Sequence, residues 1–330
     1  MKLAINGFGR IGRQVMRIIW DDPNIEVAHI NDITDSKTLA HLLKYDSTYG
    51  VWNHEVKSED NAIFIDGKKI LVSAERDPKA LPWKEENIDI VLESTGIFRT
   101  REKAGWHIEA GAKKVLVSAP GKTPLDGTFV KGVNFDDYNK DKHHIVSIGS
   151  CTTNCLAPIV KILHDEFRII SGLMTTIHAY TNDQRILDLP HKDLRRARTA
   201  AQNIIPTTTG AAKALSLVIP DMEGKLDGMA VRVPVADGSL VDLTCRIEKT
   251  TTVEEINAKV KQYADSSMKG VVKYCEDPVV SSDIIGDSYS SIFSPMDTKV
   301  MGGTFIKVLS WYDNEWGFSN RAVDMIKMML

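Results

Sequence analysis

Short β-branched runs, each followed by a stretch with apolar residues three or four apart, set the rhythm of the first half of the chain. Lys2 to Asn6 reads as a strand, Ile11 to Trp20 as a helix, Glu26 to Asn31 as a second strand and Thr38 to Leu43 as a second helix. Further strands are expected at Ile63–Ile65 and Lys69–Val72. Ile88 to Glu93, Lys114 to Ser118 and His144 to Ile148 are short continuous apolar runs of the kind buried on both faces of a parallel sheet. This alternation predicts an α/β domain with a doubly wound parallel sheet over residues 1–149.

The pattern changes after residue 150. A helix over Ile159–Phe167 leads into longer strands at Gly172–Ala179, Met229–Pro234, Asp242–Glu248 and Thr304–Trp311. Fewer intervening helices predict a second domain, residues 150–314, of α+β type with a mostly antiparallel sheet. Residues 315–330 carry helical periodicity and are expected to pack back on the first domain. Thr181 to Ala201 fits neither pattern. It holds Leu189-Pro190 and the basic Arg195-Arg196-Ala197-Arg198, and connections of that length are more often functional than not.

The bulk numbers narrow the class. At 330 residues two cores of ordinary size fit. A hydrophobic content of 43% with 26% charged residues is that of a globular protein. The net charge of -3 gives no basic excess for nucleic acid, so no such partner is expected. The first residues run straight into a strand with no secretory signal ahead of them, and no apolar run nears the roughly 18 residues of a membrane span. The four cysteines (Cys151, Cys155, Cys245 and Cys275) lack CxxC spacing, so neither a disulfide framework nor a metal site is expected. A cytoplasmic setting follows from that usage.

Gly7-Phe8-Gly9-Arg10-Ile11-Gly12 follows the first strand and opens the first helix. In that context the GxGxxG spacing reads as a Rossmann-type dinucleotide turn. Gly7 allows the tight turn, Gly9 the approach of a pyrophosphate and Gly12 close helix packing, with the phosphates at the positive helix end. Asp32, at the end of the second strand, would accept from ribose hydroxyls and repel a 2′-phosphate, which favours NAD over NADP. Ser94-Thr95-Gly96 and Ser118-Ala119-Pro120 end two other buried strands and point to the same crevice.

The chemistry centres on Ser150-Cys151-Thr152-Thr153-Asn154-Cys155, with His178 placed 27 residues after Cys151. A cysteine among hydroxyl residues at a helix start is placed to act as a thiolate, and a histidine leading out of an apolar run supplies a base. Beside an NAD site, such a thiolate adds to an aldehyde, and the resulting thiohemiacetal carbon releases hydride to leave a thioester.

Five motifs in order extend this reading over nearly the whole length. They are Ile5 to Arg13, Ser150 to Cys155, Asn203 to Ala214, Val231-Arg232-Val233-Pro234 and Trp311 to Gly317. Together they resemble the phosphorylating glyceraldehyde-3-phosphate dehydrogenases of bacterial type. The resemblance implies Cys151 as nucleophile and His178 as base, with Thr181, Arg232 and Arg196 on the substrate phosphate. It places inorganic phosphate near Ser150, Thr152, Thr209 and Gly210. Arg10, Ile11, Asp32, Arg76, Ser118 and Asn314 would complete the cofactor site, Asn314 holding the nicotinamide carboxamide. The 181–201 segment resembles the family's S-shaped loop, which reaches a neighbouring subunit in a homotetramer, and Leu189-Pro190 matches the NAD-preferring members. D-glyceraldehyde 3-phosphate and inorganic phosphate are the implied substrates. One departure stands out. The family usually has Asn-Ala before the catalytic Ser-Cys, where this chain has Ile148-Gly149. Two other readings remain at this stage: an erythrose-4-phosphate dehydrogenase on the same scaffold, and a non-catalytic NAD-binding regulator.

Overall fold

The computed structural model describes residues 1–330 and divides into two compact units. The first comprises Met1–Phe129, Asp136–Gly149 and Ser319–Leu330, and the second Val130–Phe135 and Ser150–Phe318. The short stretch Val130–Phe135 thus groups with the second unit although it precedes residue 150.

The first unit holds strands β1 (Lys2–Asn6), β2 (Glu26–Asn31), β3 (Tyr45–Asp46), β4 (Gly50–Val51), β5 (Val56–Glu59), β6 (Ala62–Ile65), β7 (Lys68–Ser73), β8 (Ile90–Glu93), β9 (Lys114–Val117), β10 (Gly127–Thr128) and β11 (Ile145–Ser147). Its helices are α1 (Arg10–Ile19), α2 (Ser36–Lys44) and α3 (Arg101–Glu109). Nine strands form one sheet in the order β10-β11-β9-β8-β1-β2-β7-β6-β5. The pairs from β10 through β7 are all parallel, and β6 and β5 add an antiparallel edge. The doubly wound architecture is therefore present with a mixed edge, built by the two hairpins of residues 56–73. β1 and β8 are almost wholly buried, as continuous apolar runs between two helical layers must be.

A row of polar side chains closes the carboxyl ends of four neighbouring strands. Glu93 of β8 pairs with Asn6 of β1, Asn6 with Asn31 of β2, and Asn31 with Ser73 of β7. Their side chains bond along the row: Asn6 Nδ2 donates to Glu93 (2.6 Å), Asn31 Nδ2 to Asn6 Oδ1 (2.7 Å), and Ser73 Oγ to Asn31 Oδ1 (2.7 Å). Trp83 donates to Nδ1 of His107 at 3.0 Å, which leaves the histidine's Nε2 as donor to Glu93, also at 3.0 Å. The Thr95 amide and hydroxyl take the second carboxylate oxygen. Every acceptor on this buried carboxylate faces a donor, the condition under which such a group is tolerated in a core.

The second unit holds β12 (Ile169–Ala179), β13 (Ile205–Thr208), β14 (Leu226–Val233), β15 (Ser239–Ile247), β16 (Val272–Tyr274), β17 (Ser291–Met301) and β18 (Phe305–Tyr312). They form one sheet, β13-β14-β12-β15-β18-β17-β16, with four antiparallel and two parallel pairings. Helices α4 (Cys151–Phe167) and α5 (Val253–Asp265) cover one face, and α6 (Trp316–Met328) follows the last strand. Its residues from Ser319 onward join the first unit, where Lys327 pairs with Asp22 at 2.6 Å and Lys114 donates to the carbonyl of Met329 at 3.1 Å.

The helix expected over Ile159–Phe167 is the second half of α4, which begins at Cys151. Pro158 reads as a break because its ring has no N–H to give. Here the helix runs through it, since thirteen of its 17 residues are buried and packing outweighs one lost bond.

Candidate active site

The glycine turn in the first unit has the geometry a dinucleotide needs. Gly7 has φ +92°, and a Cβ there would lie 2.7 Å from the amide nitrogen of Thr95. A Cβ on Gly12 would meet the carbonyl of Gly7 at 2.4 Å, so helix α1 approaches the turn only because that residue is glycine. Gly9, by contrast, faces open space, and as N-cap of α1 it gives the first-turn amides no side-chain partner. The positive end of the helix dipole there suits an anion.

Asp32 accepts from the amides of Phe8 (2.7 Å) and Thr34 (3.0 Å), which locks the carboxylate beside the turn with lone pairs to spare. Gly7, Gly9, Asp32, Arg76 and Thr95 line one cleft of about 400 Å³, together with Asn6 and Asn31 of the polar row. Asn31 clamps the backbone of Glu75 through both N–H and C=O (2.9 Å each), which sets the position of Arg76 next to it. Arg10 stands at the start of α1 with its guanidinium 2.5 Å from Asp46, and Ile11 follows it. Ser118 lies at the end of β9, its hydroxyl turned back onto the carbonyl of Glu93 at 3.2 Å.

In the second unit the register of two parallel strands sets His178 of β12 beside Arg232 of β14. Ser150 caps α4 by accepting from the amide of Thr153 at 3.0 Å, so Cys151 is the first helical residue. Its sulfur lies 3.5 Å from His178 Nε2. On the far side of the ring, Nδ1 is 2.7 Å from the carbonyl of Ala179, and Arg232 Nη1 reaches that carbonyl at 2.9 Å. Arg232 Nη1 also stands 2.7 Å from Nδ1, where it can only donate, so the carbonyl and the guanidinium compete for that nitrogen. The tautomer with its proton on Nδ1, directed at Ala179, is the one that leaves Nε2 bare toward the thiol, as a base requires.

Burial and then the Arg232 charge hold the His178 imidazole down to about 3. Burial likewise pushes the Cys151 thiol up, against the Arg232 charge and the Thr152 hydrogen bonds, which pull it down. Taken singly, each shift favours the uncharged form of its group.

The expected phosphate residues divide. Arg232 keeps a buried Nε with no hydrogen-bond partner, an open donor beside the sulfur and the ring. Arg196 is bound to Asp183, to the Thr207 hydroxyl (2.9 Å) and to the Thr208 carbonyl (3.1 Å), so an incoming anion must compete for it. Its charge still bears on both His178 and Arg232. Thr181 opens the long segment, its amide tied to Gln184 at 3.3 Å. Gly210 faces open space, and the Thr209 hydroxyl accepts from the Ala211 amide at 3.2 Å. Thr152 differs from expectation. It is 3% exposed, and its hydroxyl bonds Tyr312 at 2.8 Å. Asn314, just beyond β18, accepts from Ser239 at 2.6 Å. No group of three or more His, Cys, Asp or Glu side chains is arranged to hold a metal ion.

The chain matches known proteins over its whole length. Residues 1–101 match the family described as glyceraldehyde 3-phosphate dehydrogenase, NAD binding domain, and residues 150–314 match its C-terminal domain. The chain is 59% identical to glyceraldehyde-3-phosphate dehydrogenase of Thermotoga maritima over 100% of its own length and 99% of the relative's. It is 57% identical to that of Geobacillus stearothermophilus (98% and 97% covered) and 56% identical to that of Borreliella burgdorferi (100% of both). The chain belongs to the glyceraldehyde-3-phosphate dehydrogenase family.

Within this family the Ile148-Gly149 departure has a local explanation. Gly149 has φ +72°, in the left-handed region that only glycine enters freely. Its amide donates to Ser147 Oγ (2.9 Å), which in turn donates to the carbonyl of Ala119 (2.8 Å). Ile148 is 1% exposed, so burial rather than a polar side chain anchors the turn. Gly149→Ala should lower stability by about 1 kcal/mol in urea unfolding, the cost of a Cβ in that region. An unchanged midpoint would contradict it.

Two residues at the dehydrogenase site fall outside the sequence reading. Tyr312, fully buried, bonds Thr152 and Thr176 through one hydroxyl and sets its ring against His178, centroids 5.9 Å apart. It lies within the Trp311 to Gly317 motif, just past the strand expected over Thr304–Trp311. Ser239 had no signal, being one small residue in a Gly-Ser turn.

Proposed function

We propose that this protein catalyses the NAD-dependent, phosphate-dependent oxidation of D-glyceraldehyde 3-phosphate to 1,3-bisphosphoglycerate, as a glycolytic enzyme. The observation that carries the proposal is the Cys151–His178 pair at 3.5 Å with Arg232 against it. Cys151 attacks the aldehyde carbon and its proton passes to His178 Nε2. The charged imidazole and the first-turn amides of α4 steady the oxygen that develops charge. Arg232 and Thr181, with Arg196 released from Asp183, hold the substrate's phosphate, since a guanidinium fork matches two phosphate oxygens.

Bound NAD supplies the hydride acceptor, and the glycine turn, the α1 amides and Asp32 fit its pyrophosphate and ribose. His178 first gives its proton to the charged oxygen, forming the thiohemiacetal hydroxyl, and takes it back as hydride leaves the carbon, so a thioester remains on Cys151. Inorganic phosphate, held near Ser150, Thr209 and Gly210, attacks the acyl carbon, and the Cys151 thiolate departs. Thr152 contributes by fixing Tyr312 rather than through a free hydroxyl.

The long segment supports assembly into a homotetramer. Ile186, Leu187, Leu189 and Leu194 are 58–83% exposed, an apolar set that a neighbouring subunit would cover. A cytoplasmic setting agrees with four free cysteines. No helix is long and apolar enough to cross a membrane. The regulator reading is disfavoured by the intact Cys151, His178 and Arg232. The erythrose-4-phosphate reading is disfavoured by Thr209-Gly210, which would have no phosphate to hold.

The deciding assay is NADH formation from D-glyceraldehyde 3-phosphate with and without inorganic phosphate. Turnover that is indifferent to phosphate would overturn the proposal. For the cofactor, Asp32→Ala should raise the NADP-to-NAD ratio of kcat/KM at least about tenfold, as repulsion of a 2′-phosphate is removed. Affinity for NAD should also fall, because Asp32 ties down the Phe8 amide. An unchanged ratio would show that the carboxylate does not read the ribose.

A further inference from the structure

The ends of four adjacent strands in the second unit are joined by a lateral chain of hydrogen bonds. Arg232 ends on the carbonyl of Ala179, and the amide of Ala179 donates to Ser239 Oγ at 3.1 Å. Ser239 Oγ then donates to Asn314 Oδ1 at 2.6 Å. Ser239 is 1% exposed and Asn314 6%, so no solvent competes for these groups.

The geometry settles which way the Asn314 amide faces. A separation of 2.6 Å falls in the range of O–H···O bonds and is shorter than N–H···O bonds between uncharged groups commonly run. The serine oxygen already accepts from Ala179, so its own proton needs an acceptor, and a flipped amide would offer a second donor. Oδ1 is therefore the atom on Ser239. The amide's NH2 is turned away from it and has no protein partner among the described residues.

We propose that Ser239 is a positioning residue for cofactor recognition. It fixes the rotational state of Asn314 so that the NH2 presents two donors to the carbonyl oxygen of the nicotinamide carboxamide. This rests on the reading that Asn314 meets that carboxamide. Ser239 also ties this recognition to the backbone of Ala179, whose carbonyl lies against His178. The backbone of one residue, Ala179, thus holds the base through its C=O and the cofactor amide through its N–H.

The test compares NAD with ADP-ribose, which shares everything but the nicotinamide. Calorimetric titration of the full-length protein freed of nucleotide would be run on the parent, Ser239→Ala, Ser239→Thr and Asn314→Ala. Ser239→Ala should weaken NAD about five- to tenfold and leave ADP-ribose unchanged, whatever the substitution does to the melting temperature. Ser239→Thr, which keeps the hydroxyl, should restore most of the NAD affinity. Equal losses for both ligands would overturn the proposal, because a structural role alone moves them together. Unchanged NAD affinity in Ser239→Ala with a selective loss in Asn314→Ala would also overturn it, while leaving the Asn314 reading standing. No selective loss in Asn314→Ala would overturn that reading, and the role of Ser239 with it.

Discussion

Replacing Cys151 with serine should abolish turnover, by on the order of 10⁴-fold or more, while NAD still binds. The reason lies in the pairing. His178 is a weak base in its setting, held down to about 3, and a thiol is the group it can still deprotonate as the sulfur attacks. A serine hydroxyl is far less acidic and a poorer nucleophile at the same position. The glycine turn and Asp32, which carry the pyrophosphate and ribose, belong to the other unit and are untouched. Stopped-flow absorbance for NADH and calorimetry for NAD separate the two effects. Turnover within tenfold of the parent would defeat the covalent mechanism.

The second large effect is that of His178→Asn. Asparagine still bonds its surroundings but takes no proton, so kcat should fall roughly 10²- to 10⁴-fold. The residual rate should climb with pH, because the thiol, pushed up by burial, then ionises only as hydroxide becomes available. A pH-independent residual rate would argue against His178 as the base.

The same residue leaves a mark on stability. Folded His178 resists protonation down to about 3, whereas an unfolded histidine takes its proton near 6.5. Between those values the unfolded chain binds the additional proton. Stability therefore rises with pH across that window and is lost as pH falls through it. His164, also lowered by burial and then by Lys225 and Arg168, contributes a slope of the same sign. Urea midpoints from pH 4.5 to 6.5 should thus depend less on pH in His178→Asn than in the parent, the remainder coming from His164 and, at the acid end, from carboxylates held below their ordinary values such as Glu166.

Much of this architecture was legible because burial on both faces of a parallel sheet writes itself as uninterrupted apolar runs. Residues 90–93 and 114–117 are such cases, and the glycine turn announces itself by context. The losses have physical causes. Helix α3 buries only Ala104 and His107, too narrow a stripe to show a period, and contains Gly105. β17 breaks alternation where its register shifts between Ser294 and Lys299, around Pro295. α5 does carry a stripe, Ile256, Val260 and Ala264, behind a Thr252 cap, but it is only one residue wide per turn. At the site, Cys151, His178 and Arg232 could be named because their chemistry is specific to residue type. Ser239 and the availability of Arg196 and Thr152 depend on partners brought in from distant strands, which one-dimensional spacing does not record.

The polar row Glu93–Asn6–Asn31–Ser73 has a consequence for how the first unit is assembled. Each member is the last residue of its strand, and each meets its neighbour only when β8, β1, β2 and β7 lie in the right order and register. Because side chains alternate between faces, a slip of one residue would set these groups against aliphatic neighbours and leave a bare carboxylate in the interior, at a cost of several kcal/mol. The row thus proofreads the sheet, penalising misassembled chains more than it stabilises correct ones. Asn6 and Asn31 also floor the cofactor cleft, so a chain able to take up NAD has already passed that inspection.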